Sequence, residues 1–168
     1  MSGRRIVVAG VSASGKTLLG RALADRLGAR FVEGDDFHPP ENRAAMAAGR
    51  PLDDAMRAGW LAALGAELAR DRQAGADAVL ACSALKRGYR DRLRLAAGPL
   101  AFLCLAVPEA ELRRRIAARR GHFMPPALLA SQLATWEPPA PDEADCHLLD
   151  GSPGPAQVLA RALDLLAG

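Results

Sequence analysis

The chain has 168 residues, of which 50% are hydrophobic and 24% charged, a composition typical of a soluble globular domain with its own core. The net charge is only +3, and the arginine-rich stretch at 109–120 carries glutamates in a helical pattern without aromatic residues, so we expect no nucleic-acid binding. No apolar stretch could span a membrane, and the run at 6–11 is too short for a signal peptide. We therefore expect a cytoplasmic protein without a membrane partner.

Cysteine and arginine usage narrows the chemistry further. Cys82, Cys104 and Cys146 cannot all pair, and each lies in an apolar run, which predicts reduced core residues and no disulfide framework or metal site. Of the 22 basic residues, all but Lys16 and Lys86 are arginines. Compositional bias explains most of them, but the planar guanidinium also binds phosphate and carboxylate groups bidentately, so some are candidate anion ligands.

Short apolar runs alternate with longer stretches of helical periodicity along the chain. The predicted strands cover 5–10, 30–34, 77–83, 100–106 and 145–150. The predicted helices cover 16–27, 41–49, 54–73, 86–97, 109–120 and 155–166. Because right-handed crossovers join such strands, the pattern predicts a three-layer α/β fold, with a five-stranded parallel sheet between helices on both faces. The proline-rich segment 121–144 interrupts the alternation, as a plain surface excursion or as the mobile lid of a kinase.

The stretch "GVSASGKT" matches the phosphate-loop pattern G-x-x-x-x-G-K-S/T, with a predicted strand before it and a helix after it. Its glycines let backbone N–H groups turn towards an anion, and the N-terminus of the next helix adds its dipole. The motif predicts nucleoside triphosphate binding, with Lys16 on the β- and γ-phosphates and the Thr17 hydroxyl on Mg²⁺. The loop residues are Gly10, Val11, Ser12, Ala13, Ser14, Gly15, Lys16 and Thr17.

Ala13 is an unusual residue for this loop, because many such loops carry glycine at that position. If the backbone there needs a positive φ, alanine costs about 1 kcal/mol. That cost is too small to abolish the loop, but it would strain or stiffen it.

Carboxylate placement separates the classes of nucleotide-binding protein. A GTPase switch would carry N-K-x-D, which is missing from this sequence, and a motor or transporter ATPase would end its third strand in an aspartate. Here the third strand ends in Cys82 and Ser83, whereas Asp35 and Asp36 follow the second strand. That layout favours a small-molecule kinase.

Several blocks of sequence resemble the P-loop gluconokinases, a family related to the shikimate and nucleoside monophosphate kinases. They are "GVSASGKT" at 10–17, "EGDDFHPPEN" at 33–42, "PLDDAMRAGWL" at 51–61, "CSALKRGYRDRLR" at 82–94, "GHFMPPALLASQ" at 121–132 and "EPPAPDE" at 137–143. The chain departs from the family pattern at Ala13, Ala55, Met56, Gly59 and Trp136.

The resemblance implies one P-loop kinase domain over residues 1–168, with a lid at approximately 120–144. It also implies ATP-dependent phosphorylation of D-gluconate to 6-phosphogluconate, with Mg²⁺, in the cytoplasm and usually by a homodimer. Two alternatives stay open: a kinase for another small acid or sugar acid such as shikimate, and a non-catalytic nucleotide sensor that uses the same loop.

In this scheme Asp35 accepts or orients the proton of the substrate hydroxyl, directly or through a Mg²⁺-bound water, and Asp36 is the weaker candidate. His38 either binds substrate hydroxyls or is a satisfied turn histidine. A cationic clamp should hold the substrate carboxylate, and its candidates are Arg57, Lys86, Arg87 and Arg90. For Arg90 an ion pair with Asp91 or a neighbouring carboxylate is an equal alternative.

The helix that leads into the proposed lid supplies further candidates. Arg115 and Arg119 share a helical face, while Arg120 lies round the helix from them. Arg119 and Arg120 are expected to reach the transferring phosphate as the lid closes, and Arg119 and His122 to contact the nucleotide. Part of this arginine run must instead be a solvated basic face.

Overall fold

The sheet of the computed structural model, which describes residues 3–121 and 124–168, has the predicted parallel architecture. In the described residues its strands are β1 (Arg5–Ala9), β2 (Arg30–Glu33), β3 (Ala78–Ala81), β4 (Ala101–Ala106) and β5 (Cys146–Asp150). They lie in the order β2-β3-β1-β4-β5, and every neighbouring pair is parallel. The predicted α/β fold is confirmed.

Seven α-helices lie in the described residues, one more than the sequence pattern predicts. They are α1 (Lys16–Leu27), α2 (Pro40–Ala47), α3 (Asp54–Gln73), α4 (Arg87–Ala97), α5 (Glu109–Ala118), α6 (Pro126–Thr135) and α7 (Pro155–Ala167), and a short 3-10 helix covers Gly34–Phe37. The additional helix is α6, inside the segment expected to form a lid. Pro126 occupies its first turn, where proline is tolerated, so the proline-rich sequence conceals a helix start. None of the described helices combines the length and the apolarity needed to cross a membrane.

Two apolar layers cover the faces of the sheet, as alternate strand residues require. On β1, Val7 packs into one layer and Ile6 and Val8 into the other. The first layer holds residues of α3, α4 and α6, among them Trp60, Leu64, Leu93 and Leu129. The second layer holds residues of α1 and α7, among them Leu19, Leu23, Val158 and Ala162. Because Leu129 is fully buried in the first layer, α6 is part of the core of the described structure.

All the strands are parallel, so their carboxyl ends share one edge of the sheet. The phosphate loop follows β1, the acidic segment follows β2, and residues 82–86 follow β3. Gly34 permits the second of these turns, because a Cβ at that position would lie 2.5 Å from the Ala81 carbonyl oxygen. Open α/β sheets bind ligands at this edge, and here it carries the predicted chemistry.

A buried ion pair ties α4 to the segment that returns from α6 to β5. Arg90 is fully buried, and its Nε and Nη2 donate to Glu143 Oε2 and Oε1 at 2.9 and 2.7 Å. Its Nη1 donates to the carbonyl oxygens of Ala84 and Glu137. Arg94 also donates to Glu143, at 2.8 Å. These groups satisfy one another in a place from which water is excluded.

This burial corrects the expectation that Arg90 binds the substrate. The Arg90 guanidinium donates to Glu143 and to two carbonyl oxygens, so the ion-pair alternative holds, with Glu143 as the partner instead of Asp91. All three cysteines are free, and Cys82 and Cys104 are buried, as expected of reduced core residues.

We expect Glu143→Ala to lower the free energy of unfolding by about 3–5 kcal/mol, because it leaves the Arg90 charge buried and unpaired. Urea denaturation at neutral pH measures this. Hydrogen bonds from Arg90 hold the pKa of Glu143 below its usual range, so the contribution is present at neutral pH and is lost as the pH falls through that lowered value.

The neighbouring substitution Asp142→Ala is the matched control. Asp142 also pairs with an arginine, Arg87, but its side chain is 66% exposed, so its loss should change stability little. Equal urea midpoints for the two variants would contradict the structural role of the buried pair.

Candidate active site

The phosphate loop is a tight turn, and several of its carbonyl oxygens accept hydrogen bonds from lysine and arginine side chains. Gly15 starts α1 with a φ of 98°, a left-handed conformation that suits glycine. Arg115, from α5, donates to the carbonyl oxygens of Ala13 and Ser14 at 3.2 and 3.4 Å and to that of Gly151 at 2.7 Å. Lys16 Nζ donates to the Val11 carbonyl at 2.9 Å. Oxygens that would repel a phosphate are thereby neutralised, while the N-terminus of α1 stays open to an anion.

Lys16 lies in a cavity of about 820 Å³ that also reaches Asp35 and Arg119. Burial lowers the pKa of Lys16, and the nearby carboxylates of Asp35 and Glu33 counteract that effect. The predicted phosphate ligand and the predicted acid–base residue therefore face the same space.

The other end of this cavity was missed by the sequence analysis. It runs along the turn at 151–155 after β5 and along α7, and it includes Leu18, Arg114 and Leu159. Leu18 is 59% exposed, and its position in the cavity explains an apolar side chain at the surface. A flat apolar group attached to the phosphates would fit here.

Thr17 makes a contact that the sequence analysis also missed. Its hydroxyl donates to Glu33 Oε2 at 2.6 Å, so the last residue of β2 reaches the first turn of α1. The hydroxyl, the Glu33 carboxylate and the exposed Asp35 carboxylate are hard oxygen donors, of the kind that Mg²⁺ takes alongside phosphate oxygens and water. The available sequence signal was a carboxylate at the end of a predicted strand, directly before Asp35 and Asp36.

His38 lies between the acidic segment and Arg57. Its ring is buried, stacks on Trp60 at a centroid distance of 4.2 Å, and lies 4.0 Å from Asp35 Oδ1. Burial lowers the pKa of His38; Asp35 opposes this shift, whereas Arg43 and Arg57 reinforce it. A largely neutral ring beside both Asp35 and Arg57 can donate or accept a hydrogen bond. Asp36 is exposed and contributes a backbone carbonyl to Arg43.

Arg57 and Lys86 lie in one cluster, organised by two residues that the sequence analysis did not select. Arg57 Nη1 donates to the Tyr89 hydroxyl at 3.0 Å, and the Tyr89 hydroxyl donates to Asp54 Oδ1. Lys86 Nζ donates to the same Asp54 oxygen at 3.3 Å. Both cations also approach the Tyr89 ring, at 5.4 and 5.6 Å from its centroid. Two cations held around one aromatic ring form a site suited to a carboxylate.

Of the remaining predicted site residues, only Arg119 lines the cavity in the described part of the chain. Arg87 turns to the segment that returns from α6, where both of its terminal nitrogens donate to Asp142 at 2.8 Å. Arg119, the residue after α5, lines the cavity. Arg120 does not line the described cavity, although both side chains are exposed. His122 lies outside the described residues.

Ala13 does adopt the strained backbone that its place in the loop suggested, with a φ of 66°. Replacing it with glycine should raise the free energy of unfolding by up to about 1 kcal/mol, because glycine adopts this conformation without a steric penalty. Thermal unfolding measures the change. Ala24→Gly, inside α1, is the control and should act in the opposite direction. A loss of stability in both variants would argue against strain at Ala13.

Comparison with known proteins places this geometry in a family. A family model described as an AAA domain matches residues 6–139. A gluconokinase from Gluconobacter oxydans (strain 621H) is 51% identical over 140 residues, which cover 83% of this chain and 79% of that protein. The crystal structure of a gluconokinase from Sinorhizobium meliloti 1021 has 46% identity and a TM-score of 0.89, over 99% of this chain and 92% of that one. An unliganded sugar kinase from Janibacter sp. HTCC2649 has 45% identity and a TM-score of 0.93, over 98% and 95% of the two chains. With a phosphate loop facing an aspartate after β2 and with these relatives, the chain belongs to the gluconokinase family.

Proposed function

We propose that this protein transfers the γ-phosphoryl group of ATP to D-gluconate, forming 6-phosphogluconate and ADP. The supporting observation is the shared cavity of Lys16, Arg119 and Asp35, with His38 between Asp35 and the cluster of Arg57 and Lys86. Gluconate is a polyol with one carboxylate, so it needs a cationic clamp at one end and an acid–base group at the other. The site offers both.

The phosphoryl transfer needs positioning and charge neutralisation more than covalent chemistry. The oxygen of the terminal gluconate hydroxyl forms a bond to the γ-phosphorus, and the bond from that phosphorus to the β–γ bridging oxygen breaks. Asp35 receives the hydroxyl proton. Lys16 and the loop N–H groups hold the phosphates, and Arg119 lies in the same cavity, from which it can reach the transferring group.

Binding of gluconate uses the opposite side of the site. Arg57, fixed by Tyr89, pairs with the substrate carboxylate together with Lys86, and His38 hydrogen-bonds a substrate hydroxyl. Arg87 is not assigned to the substrate in this proposal, because Asp142 already engages it.

Mg²⁺ that arrives with ATP would be held by Thr17, with Glu33 and Asp35 as carboxylates near it, and it would neutralise phosphate charge. The Thr17–Glu33 hydrogen bond keeps the hydroxyl oriented for this task. Among the described residues no His, Cys, Asp or Glu cluster forms a separate metal site, which suits an ion that depends on the nucleotide for most of its ligands.

A lid accompanies this chemistry in our proposal. The lid at approximately 120–144 stays part of the proposal, but α6 does not move with it, because α6 packs into the core. We also propose a homodimer in the cytoplasm, as the family resemblance implies; sedimentation of the purified protein tests the dimer.

The first test is an acceptor screen with ATP that follows ADP release. Gluconate should support turnover, whereas shikimate, nucleoside monophosphates and other sugar acids should support much less. ADP release with shikimate but not gluconate would overturn the substrate assignment. Tight ATP binding without turnover on any acceptor would instead indicate a nucleotide sensor.

The second test is Asp35→Asn, with Asp36→Asn as its control. Loss of the proton acceptor should lower kcat by about 10²–10⁴-fold while ATP affinity changes little. The neighbouring variant should stay near wild-type activity, since that side chain is exposed and outside the cavity lining. Similar kcat values for the two variants would remove Asp35 from the mechanism.

A further inference from the structure

The phosphate loop makes a side-chain contact with α6 that none of the preceding roles uses. The Ser12 backbone N–H donates to Gln132 Oε1 at 2.7 Å, across 120 positions of sequence. An N–H group can only donate, so the atom facing it must be the amide oxygen, and the orientation of the Gln132 amide follows. The Nε2 group therefore lies on the other branch of the amide.

That Nε2 group is an unused donor. In the described part of the chain it makes no hydrogen bond, although the side chain is half-buried. The amide is also well supported, because Leu128 and Leu129 precede it by four and three positions on the same helical face and are buried in or beside the core. A helix packed into the core thus presents a donor that has no partner among residues 3–121 and 124–168.

The position of α6 says which part of the nucleotide this donor meets. Arg115 holds the loop from the side of Gly151, where the apolar end of the cavity lies. By contrast, α6 belongs to the opposite layer, and the residue after Trp136 donates its N–H to the carbonyl oxygen of Leu85, in the segment that follows β3. Gln132 therefore reaches Ser12 from the acceptor side of the loop, where the terminal phosphate of a bound nucleotide meets the acceptor hydroxyl.

We propose that Gln132 is a ligand of the γ-phosphate: Oε1 holds the Ser12 N–H, and Nε2 donates to a γ-phosphate oxygen. The assignment builds on the proposed ATP-dependent reaction and adds a neutral ligand to the cations Lys16 and Arg119. A neutral donor stabilises the phosphoryl group without adding charge to the site. It also makes binding sensitive to the third phosphate, because ADP offers nothing at that position.

The experiment compares nucleotides by calorimetry without an acceptor, using ADP and a non-hydrolysable ATP analogue with Mg²⁺. Gln132→Glu keeps the shape and the oxygen that Ser12 needs, but it replaces the donor with a second carboxylate oxygen. We expect the analogue to bind at least about tenfold more weakly, the loss typical of a charge-assisted hydrogen bond, while ADP affinity is unchanged.

Ala130→Glu is the charge control, since it adds a carboxylate to the exposed side of the same helix and should leave both affinities unchanged. Gln132→Met, which removes both polar atoms, is the second variant and should also weaken the analogue more than ADP. Unchanged affinities in Gln132→Glu, or an equal loss for both nucleotides, would overturn the assignment and leave Gln132 as a support of the loop. Because the measurement needs no gluconate, its outcome is independent of the acceptor screen.

Discussion

A backbone loop can bind phosphate only if its own carbonyl oxygens, which repel anions, are hydrogen-bonded elsewhere. Much of this site depends on that constraint. Lys16 takes the Val11 carbonyl, and Arg115 takes those of Ala13 and Ser14. The same arginine reaches Gly151, so the loop after β1 is tied to the turn after β5. One neutralising side chain therefore both prepares an anion site and joins the two strand ends that border the long cavity.

The charges of Arg57 and Lys86 are compensated differently, by an aromatic ring and a carboxylate, with His38 nearby. Arg57 and Lys86 share the Tyr89 ring and the Asp54 carboxylate, so they are partly compensated before any substrate arrives. Burial keeps His38 largely neutral between a carboxylate and an arginine. Two partly compensated cations beside a hydrogen-bonding ring suit a ligand that carries one carboxylate and several hydroxyls.

Sequence periodicity was sufficient for the sheet and for six of the described helices, because buried strands and amphipathic helices leave local patterns. It missed α6, whose start is hidden among prolines. The sequence left Arg90 open between a substrate ligand and an ion pair, and only the fold shows Glu143 as its partner. Tyr89 and the turn at 151–155 had no local signal for a role, because their partners lie far away in sequence. Motifs predicted the phosphate loop and the role of Asp35, whereas the contacts between distant segments required the fold.

Helix α4 joins two parts of the structure because its faces have different partners. Lys86, just before α4, and Tyr89, three positions later, both contact Asp54. Arg87, Arg90 and Arg94 follow the other periodicity and hold the return segment through Asp142, Glu143 and Asp145. Since Arg90 and Glu143 are buried and fully paired, the return segment and α4 should move as one body. The later part of the predicted lid at 120–144, which comprises α6 and the return segment, is therefore held against the core and α4.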